Sequence, residues 1–442
     1  MKRRVVVTGI GAVSPIGIGS SNMWENAKVG KLGIDFITQF DTEESKVKIA
    51  GEVKGFDPCE IMDKMEARRT ARFTQFALYA AEEAFKQSGL DISKEDALRC
   101  GVNVASGIGG LPVIQRECLR GDKHGYDRVS PLFVPSSITN MAAGMIAIKL
   151  GFKGSCTCVV TACASASDSI GSAFHYIRDG YSDVMACGGA ESCICELGIG
   201  GFSSMKALSD SDDPTRASIP FDKERNGFVM GEGSGILILE EYEHAVKRGA
   251  KILGEVVGYG ASCDANHMTA PLEDGSGAAA CMTLAIRDAG IDPCEIGYIN
   301  AHGTGTPLND KGETKAVKLA FGEHSKELLI SSTKSMTGHL LGASGAIEAV
   351  MAIKALEDQF APPTVGYKVP DDVSLIAFGG YEASELITPD LTTIRFENEE
   401  AGCCAAKAVI DLVEEKDVNN EIRIDYVFIE GHSVKNINKD YK

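Results

Sequence analysis

Cys163, His302 and His339 have the residue types and settings for acyl chemistry. Cys163 lies in Val159-Val-Thr-Ala-Cys-Ala-Ser-Ala, where a strand is expected to deliver it to the first turn of a helix. That helix turns Ile170, Phe174 and Ile177 inward and is closed by Gly180. Free N–H groups and the positive dipole end there lower a thiol's pKa and favour thiolate, the nucleophilic form. The small neighbours leave room for a substrate, although a lone cysteine more often packs as a small hydrophobe. His302 ends the strand Ile296-Gly-Tyr-Ile-Asn-Ala-His and runs into Gly303-Thr-Gly-Thr-Pro307; His339 again follows a strand, at a helix start. A histidine at the mouth of a strand followed by glycine is placed for chemistry, the alternative being a satisfied structural residue. Cysteine with a distant histidine is also the pattern of cysteine hydrolases, so hydrolysis stands as an alternative. Two histidines among small residues, with no Asn or Asp partner evident, suit donation to a carbonyl oxygen better.

The elements that must position these groups alternate. Short buried strands are expected at 4–8, 101–105, 157–161 and 183–187, with a helix over 68–87 that turns Phe73, Phe76, Ala77 and Ala80 to one side. From Lys251 the alternation resumes: a strand at 252–258, a helix at 275–289, strands at 296–301 and 328–332, and helices at 310–321 and 340–358. Asp310 with Glu313 three residues later forms a capping-box pattern at the first of those last two helices. Strands alternating with helices define an α/β protein. Thr157-Cys-Val-Val-Thr-Ala-Cys163 and Leu328-Leu-Ile-Ser-Ser-Thr-Lys334 each enter a helix rich in small residues, an echo that suggests two related halves.

Composition narrows the partners. With 442 residues, 44% apolar, the chain has room for two or three domains. A net charge of −18 repels phosphate backbones and anionic lipid, which argues against nucleic acid or a membrane surface as partner. No stretch approaches the ~18 consecutive apolar residues of a membrane span. Lys2, Arg3 and Arg4 before an apolar stretch mimic a signal peptide, but Gly9, Gly11, Pro15 and Gly17 interrupt it, so a first buried strand is expected. The 14 cysteines contain no Cys-x-x-Cys pair, which points to reduced thiols in the cytoplasm. Cys156, Cys158, Cys193 and Cys195 form Cys-x-Cys pairs, poor tetrahedral clamps, so no metal is expected.

Ala162-Cys-Ala, Asn300-Ala-His-Gly-Thr-Gly-Thr-Pro-Leu-Asn-Asp310 and Lys334-Ser-Met-Thr-Gly-His-Leu-Leu-Gly-Ala occur in one order, with Val5 to Gly17 and Asn226 to Gly235 as further blocks. In these motifs, from Lys2 to about Pro363, the chain resembles the beta-ketoacyl-acyl-carrier-protein synthases, the type II condensing enzymes of fatty-acid synthesis. The resemblance implies a thiolase-like duplicated fold, layered α-β-α-β-α, as a homodimer whose catalysis uses Cys-His-His without metal or nicotinamide. It implies no cofactor of the chain's own, the phosphopantetheine being carried by an acyl carrier protein. Cys163 would take the acyl chain, while His302 and His339 would hold the malonyl thioester oxygen as carbon dioxide leaves. Lys334 and Glu348 would form the pair that orients His339, an ordinary ion pair being the bland alternative. Thr304 and Thr306 match positions that bind the pantetheine arm, and Ile108 and Phe133 match the acyl-pocket lining at the dimer seam. Lys64, Arg68, Arg69 and Arg72 match the carrier-docking patch, complementary to an acidic carrier.

From about Tyr367 the pattern changes. The family carries a glycine-rich strand there, with a gating phenylalanine; this chain has Val369-Pro-Asp-Asp-Val-Ser-Leu-Ile-Ala-Phe-Gly-Gly380, Ile387-Thr-Pro-Asp-Leu-Thr-Thr-Ile-Arg395 and Glu421-Ile-Arg-Ile-Asp-Tyr-Val-Phe-Ile-Glu-Gly431. These segments resemble the C-terminal end of lactose-repressor-type regulators. The expected organisation is therefore an N-terminal half at 1–250 with the nucleophile, a truncated second half at 251–366 with the histidine pair, and a foreign tail at 367–442. In the tail, strands are expected at 391–396 and 422–430 and a helix at 398–415. The segment 372–380 is expected to dock in the vacated sheet position and bring Phe378 to the site. The function expected is decarboxylating condensation in fatty-acid elongation; the alternatives are an inactive scaffold or dimer partner, and a hydrolase or decarboxylase remnant.

Overall fold

Ten consecutive buried residues, Val5–Ser14, form the first strand. Its register against Gly233–Glu241 shifts between Val7 and Gly9. That extra residue changes the strand's parity, so Val5, Val7, Ile10 and Ala12 enter one core cluster together. Gly9 and Gly11 face the opposite way, onto the helix Arg72–Ser88. A Cβ on either would come within 2.0 Å of the carbonyl oxygen of Ala84 or Ala80, so the helix lies directly on bare backbone. Its own face is trimmed to match, with Ala77, Ala80, Ala81 and Ala84 all buried.

The structure, a computed structural model, describes residues 2–367 and the backbone of three strands, Ile376–Phe378, Thr392–Phe396 and Tyr426–Ile429. The chain divides into two units, Met1–Gly366 and Tyr367–Lys442.

In the first unit a seven-stranded sheet runs in the order Gly17–Ile18, Val5–Ser14, Gly233–Glu241, Val184–Glu191, Cys100–Ala105 and Cys156–Thr157, with Gly254–Val256 pairing antiparallel to Val5–Ser14. Gly233–Glu241 is antiparallel to both neighbours, and Cys100–Ala105 is parallel to both of its own. Helices cover both faces, which is why these strands are apolar runs instead of alternating patterns. Arg72–Ser88 and Met141–Leu150 pack on one face, Ser165–Arg178 and Ser344–Asp358 on the other. The last of these belongs to the expected second half, so the two halves share a core through Ile347, Val350 and Met351 against Val5, Val7, Leu237 and Leu239.

The second half departs from a symmetrical duplication. The strand expected to open it, at 252–258, is Gly254–Val256 and joins the edge of the first sheet. Among the described residues its own sheet is two parallel strands, Tyr298–Asn300 and Leu329–Ser331. A two-stranded sheet buries little: Leu329 is 60% exposed and Ile330 40%, and the helix Ser276–Ala289 fully buries Ala279 alone. Several boundaries also differ. The helix expected over 68–87 is two, Lys64–Arg69 and Arg72–Ser88, separated by extended Thr70 and Ala71. The strand expected at 157–161 is Cys156–Thr157, and the helix expected from Asp310 begins at Pro307, since proline is favoured in a first turn.

In the second unit, Ile376–Phe378 pairs in parallel with Thr392–Phe396, which pairs antiparallel with Tyr426–Ile429. The described part of the 372–380 segment is thus hydrogen-bonded to the strand at 392–396, which corrects its expected place in the second half's sheet. The rest of that segment, the helix at 398–415 and the side chain of Phe378 lie outside the described residues.

One buried charge network fixes the central strand. Glu240, fully buried, accepts from His244 Nδ1 (2.6 Å), Arg248 Nη2 (2.6 Å) and Thr8 Oγ1 (3.1 Å), while His244 Nε2 reaches Glu95 at 2.7 Å. The hydrogen bond to Glu240 leads in raising the His244 pKa to about 9. Folding favours the charged ring, so this stabilisation is complete below the unfolded value near 6.5 and is lost as pH rises through about 9. His244→Gln is expected to cost roughly 2 kcal/mol at pH 6.5 and little at pH 9.5, measured as urea midpoints for both proteins across that range.

Candidate active site

Cys163 sits in the turn Ala162–Ala164, which runs straight into the helix Ser165–Arg178. The preceding Ala162 holds a φ of 51°, a strained backbone for a residue with a Cβ, which turns the chain sharply at the cysteine. Ser165 Oγ donates to the Ala162 carbonyl (2.6 Å) and accepts from Thr161 N–H (2.9 Å), locking the turn. The expected lowering of the thiol pKa does not hold. Burial pushes Cys163 up, with Lys334 and a backbone N–H opposing; loss of water around the sulfur outweighs the helix end.

His302 leaves the strand Tyr298–Asn300, and its loop hangs from two carboxylates. Glu313 accepts from the His302 and Gly303 N–H groups, both at 2.7 Å. Asp310 accepts from Thr304 (3.1 Å), Gly305 (3.2 Å) and Phe221 (2.7 Å). Asp310 and Glu313, expected as a capping box, thus serve the 302–305 loop instead of the helix end. Thr304 Oγ1 and Thr306 Oγ1 lie 2.9 Å apart, hydrogen-bonded to each other, and Thr306 occupies the N-cap position of Pro307–Phe321 without a side-chain capping bond.

His339 is buried, and its ring orientation is determined by two contacts. The Leu341 N–H donates to Nδ1 (3.1 Å), and Ser344 Oγ lies 2.8 Å from the same nitrogen. A backbone N–H can only donate, so Nδ1 is unprotonated and Nε2 carries the hydrogen. Cys163 Sγ and one ring nitrogen of each histidine lie within 4.8 Å of one another, and the two imidazoles meet edge-to-face at 5.2 Å. Burial, reinforced by Lys334, lowers His302 to about 3 and pushes His339 well below its usual value. Both rings are neutral donors at pH 7. These three atoms are also spaced to hold a metal ion, but the Lys334 ammonium that depresses the imidazoles opposes a second cation there.

Lys334 is 1% exposed and pairs with Glu348. The pair stands beside the histidines and acts on them by charge; the contacts that orient His339 come from Leu341 and Ser344. Ile108 packs in one cluster with Leu341 and Ile199, and Phe133 in another with Val113 and Ala142. Lys64, Arg68 and Arg69 are exposed on their short helix. Arg72 is only half-exposed beside them: its guanidinium grips the fully buried Glu232 at 2.7 Å, donates to the Val53 carbonyl (2.9 Å) and stacks over Phe76. Arg72→Ala would strand a buried carboxylate and is expected to cost about 3 kcal/mol in urea unfolding.

A cysteine presented by a strained turn at a helix start, beside two neutral histidines in an α/β fold, defines a condensing enzyme of thiolase-like fold. Family descriptions agree: "Beta-ketoacyl synthase, N-terminal domain" matches residues 2–245 and "Beta-ketoacyl synthase, C-terminal domain" matches 253–368. The chain belongs to the beta-ketoacyl synthase family. A third description, "Periplasmic binding protein-like domain", matches 341–434 and overlaps the second. The chain is 50% identical over 372 residues to a Synechocystis protein named 3-oxoacyl-(acyl-carrier-protein) synthase 2, covering 84% of this chain and 89% of that one. It is 46% identical over 386 residues to a Coxiella burnetii protein of the same name, covering 87% and 93%. Among solved structures, a type II polyketide ketosynthase in complex with its acyl-carrier protein superposes with a TM-score of 0.77 at 37% identity, over 84% of this chain and 90% of that one. A beta-ketoacyl synthase from Burkholderia phymatum gives 0.76 at 33%, over 83% and 89%.

Proposed function

We propose that the chain condenses an acyl thioester with malonyl-acyl-carrier protein, with loss of carbon dioxide, in fatty-acid elongation. Cys163 Sγ attacks the carrier thioester, the C–S bond to the phosphopantetheine breaks, and the acyl group passes to the cysteine. Malonyl thioester then loses carbon dioxide, and the Nε2–H of His339 together with His302 donates to the enolate oxygen as its charge develops. The carbanion attacks the acyl-Cys163 carbonyl, a C–C bond forms as the C–S bond breaks, the β-ketoacyl product stays on the carrier, and Cys163 leaves as thiolate and takes a proton from solvent. The observation that carries this reading is the Cys163–His302–His339 triangle within 4.8 Å. Neutral histidines support it, since an uncharged N–H can strengthen its bond as the oxyanion forms. Intact-protein mass spectrometry after incubation with acyl carrier substrate tests it: an acyl adduct followed by turnover with malonyl carrier is expected, and no adduct would overturn it.

The exposed Lys64, Arg68 and Arg69 serve as the carrier-docking surface in this reading, opposite in sign to the carrier. The chain works as a homodimer, which the exposed edge strand Cys156–Thr157 and the neighbouring Val160, 51% exposed, support. It needs no cofactor beyond the carrier's phosphopantetheine. Every described cysteine is a free thiol, in keeping with the cytoplasm, and no described helix is long and apolar enough to cross a membrane. We further propose that 367–442 derives from the C-terminal end of a sugar-responsive regulator, which the match at 341–434 supports. A carrier-binding scaffold without turnover is the second reading, favoured by the two-stranded sheet of the second half. A protein that binds carrier yet forms no adduct would select it.

A further inference from the structure

Glu191 ends the strand Val184–Glu191 and is completely buried. Its carboxylate is wrapped by donors from two distant loops. Oε2 accepts from the Gly107 N–H (2.7 Å) and the Gly342 N–H (3.0 Å). Oε1 accepts from Ser106 Oγ (2.8 Å) and the Ile108 N–H (3.3 Å), with Cys193 Sγ at 3.5 Å. The three backbone groups can only donate, so they match an acceptor-only carboxylate. The loops touch where they share it: a Cβ on Gly342 would lie 2.3 Å from Gly107 N and 2.7 Å from Glu191 Oε2.

What hangs on that contact is the His339 turn. Gly342 follows Leu341, which holds a φ of 48° and whose N–H sets the His339 tautomer through Nδ1. A strained turn persists only where its surroundings over-determine it, and the Glu191 carboxylate grips the next peptide along. We infer that Glu191 is a positioning residue for the condensation, clamping the 340–342 turn to the 106–108 loop so that His339 presents Nε2–H to the enolate oxygen. It touches no reacting atom. The same carboxylate also accepts from the Ile108 N–H at its longest contact, 3.3 Å. The inference rests on assigning His339 to the decarboxylation step.

Glu191→Gln keeps the shape but replaces one acceptor with an N–H₂ that faces donors. The expected result is acyl loading of Cys163 within about twofold of wild type, carbon-dioxide release from malonyl carrier slower by ~10–100-fold in kcat, and little change in KM. Histidine-selective ¹⁵N NMR should show Nδ1 of His339 unprotonated in wild type and a mixture of tautomers in the variant. Ser106→Ala, a smaller lesion at the same carboxylate, should shift both readouts in the same direction by a few-fold. Equal rates and an unchanged His339 signature in a folded Glu191→Gln would overturn the inference. So would failure of both variants to fold, which would make Glu191 a residue of the core. A wild type that neither loads nor decarboxylates would instead refute the proposed function, leaving the NMR signature to decide the clamp.

Discussion

Cys163→Ala is expected to remove the acyl adduct entirely and to lower condensation by at least ~10⁴-fold, because no neighbouring group can take over as nucleophile. The turn that presents residue 163 is fixed by Ser165 and by backbone, not by the thiol, so the variant should fold with a stability within about 1 kcal/mol of wild type. Wild-type loading should also depend on pH in a definite direction. Burial pushes the thiol up and thiolate is the reactive form, so burst acylation should rise with pH, approaching tenfold per unit below the shifted pKa. Mass spectrometry of rapidly quenched samples from pH 6.5 to 9 measures this. A flat profile would mean that an oriented base deprotonates Cys163 during attack. An adduct mapped to Cys156 or Cys158 would refute the assignment; Cys156 is the more exposed of the two.

The three side chains that the structure brings together, Cys163, His302 and His339, were legible in the sequence because each lies in a glycine- and small-residue-rich loop at the end of an apolar strand, a local pattern. What was illegible is long-range. Glu191 meets Gly342 across 151 residues, and nothing local to Val184–Glu191 distinguishes its last carboxylate from an exposed one. Asp310 and Glu313 show the opposite failure. Their spacing fits a capping box, yet Pro307 starts the helix earlier and frees both carboxylates for the loop at 302–305. The central strand Gly233–Glu241 escaped notice because it begins Gly-Ser-Gly and ends in two glutamates, of which Glu240 is buried only by virtue of Arg248 and His244. Arg72 looked like a surface cation beside Arg68 and Arg69, and only the fold shows Glu232 beneath it. The sign of the Cys163 shift was missed for a related reason: dipole strength is readable from a helix start, whereas desolvation depends on everything packed around it.

His302→Ala and His339→Ala are each expected to slow carbon-dioxide release by ~10²–10³-fold, the usual effect of deleting one oxyanion donor. Acyl loading should survive in both, because thioester exchange at Cys163 does not build the enolate these rings serve. The two variants should differ in a way the contacts define. His302 is held by backbone N–H groups on Glu313, so its loss leaves the loop intact. His339 also receives Leu341 N–H and packs edge-to-face on Phe228, so its removal frees a buried donor and opens a gap, and this variant should be the less stable of the two. The pH dependence provides the sharper check. A folded pKa of about 3 keeps His302 unprotonated between pH 5 and 8, and burial pushes His339 in the same direction. Carbon-dioxide release in single turnover should therefore be flat across that window while loading climbs. A limb near pH 6.5 in the release step would show that one histidine works as a cation or a titrating base. Equal loss of loading and release in either variant would assign that ring to activation of Cys163, which the Nε2–H tautomer of His339 opposes, since a nitrogen that already carries its hydrogen cannot accept the thiol's.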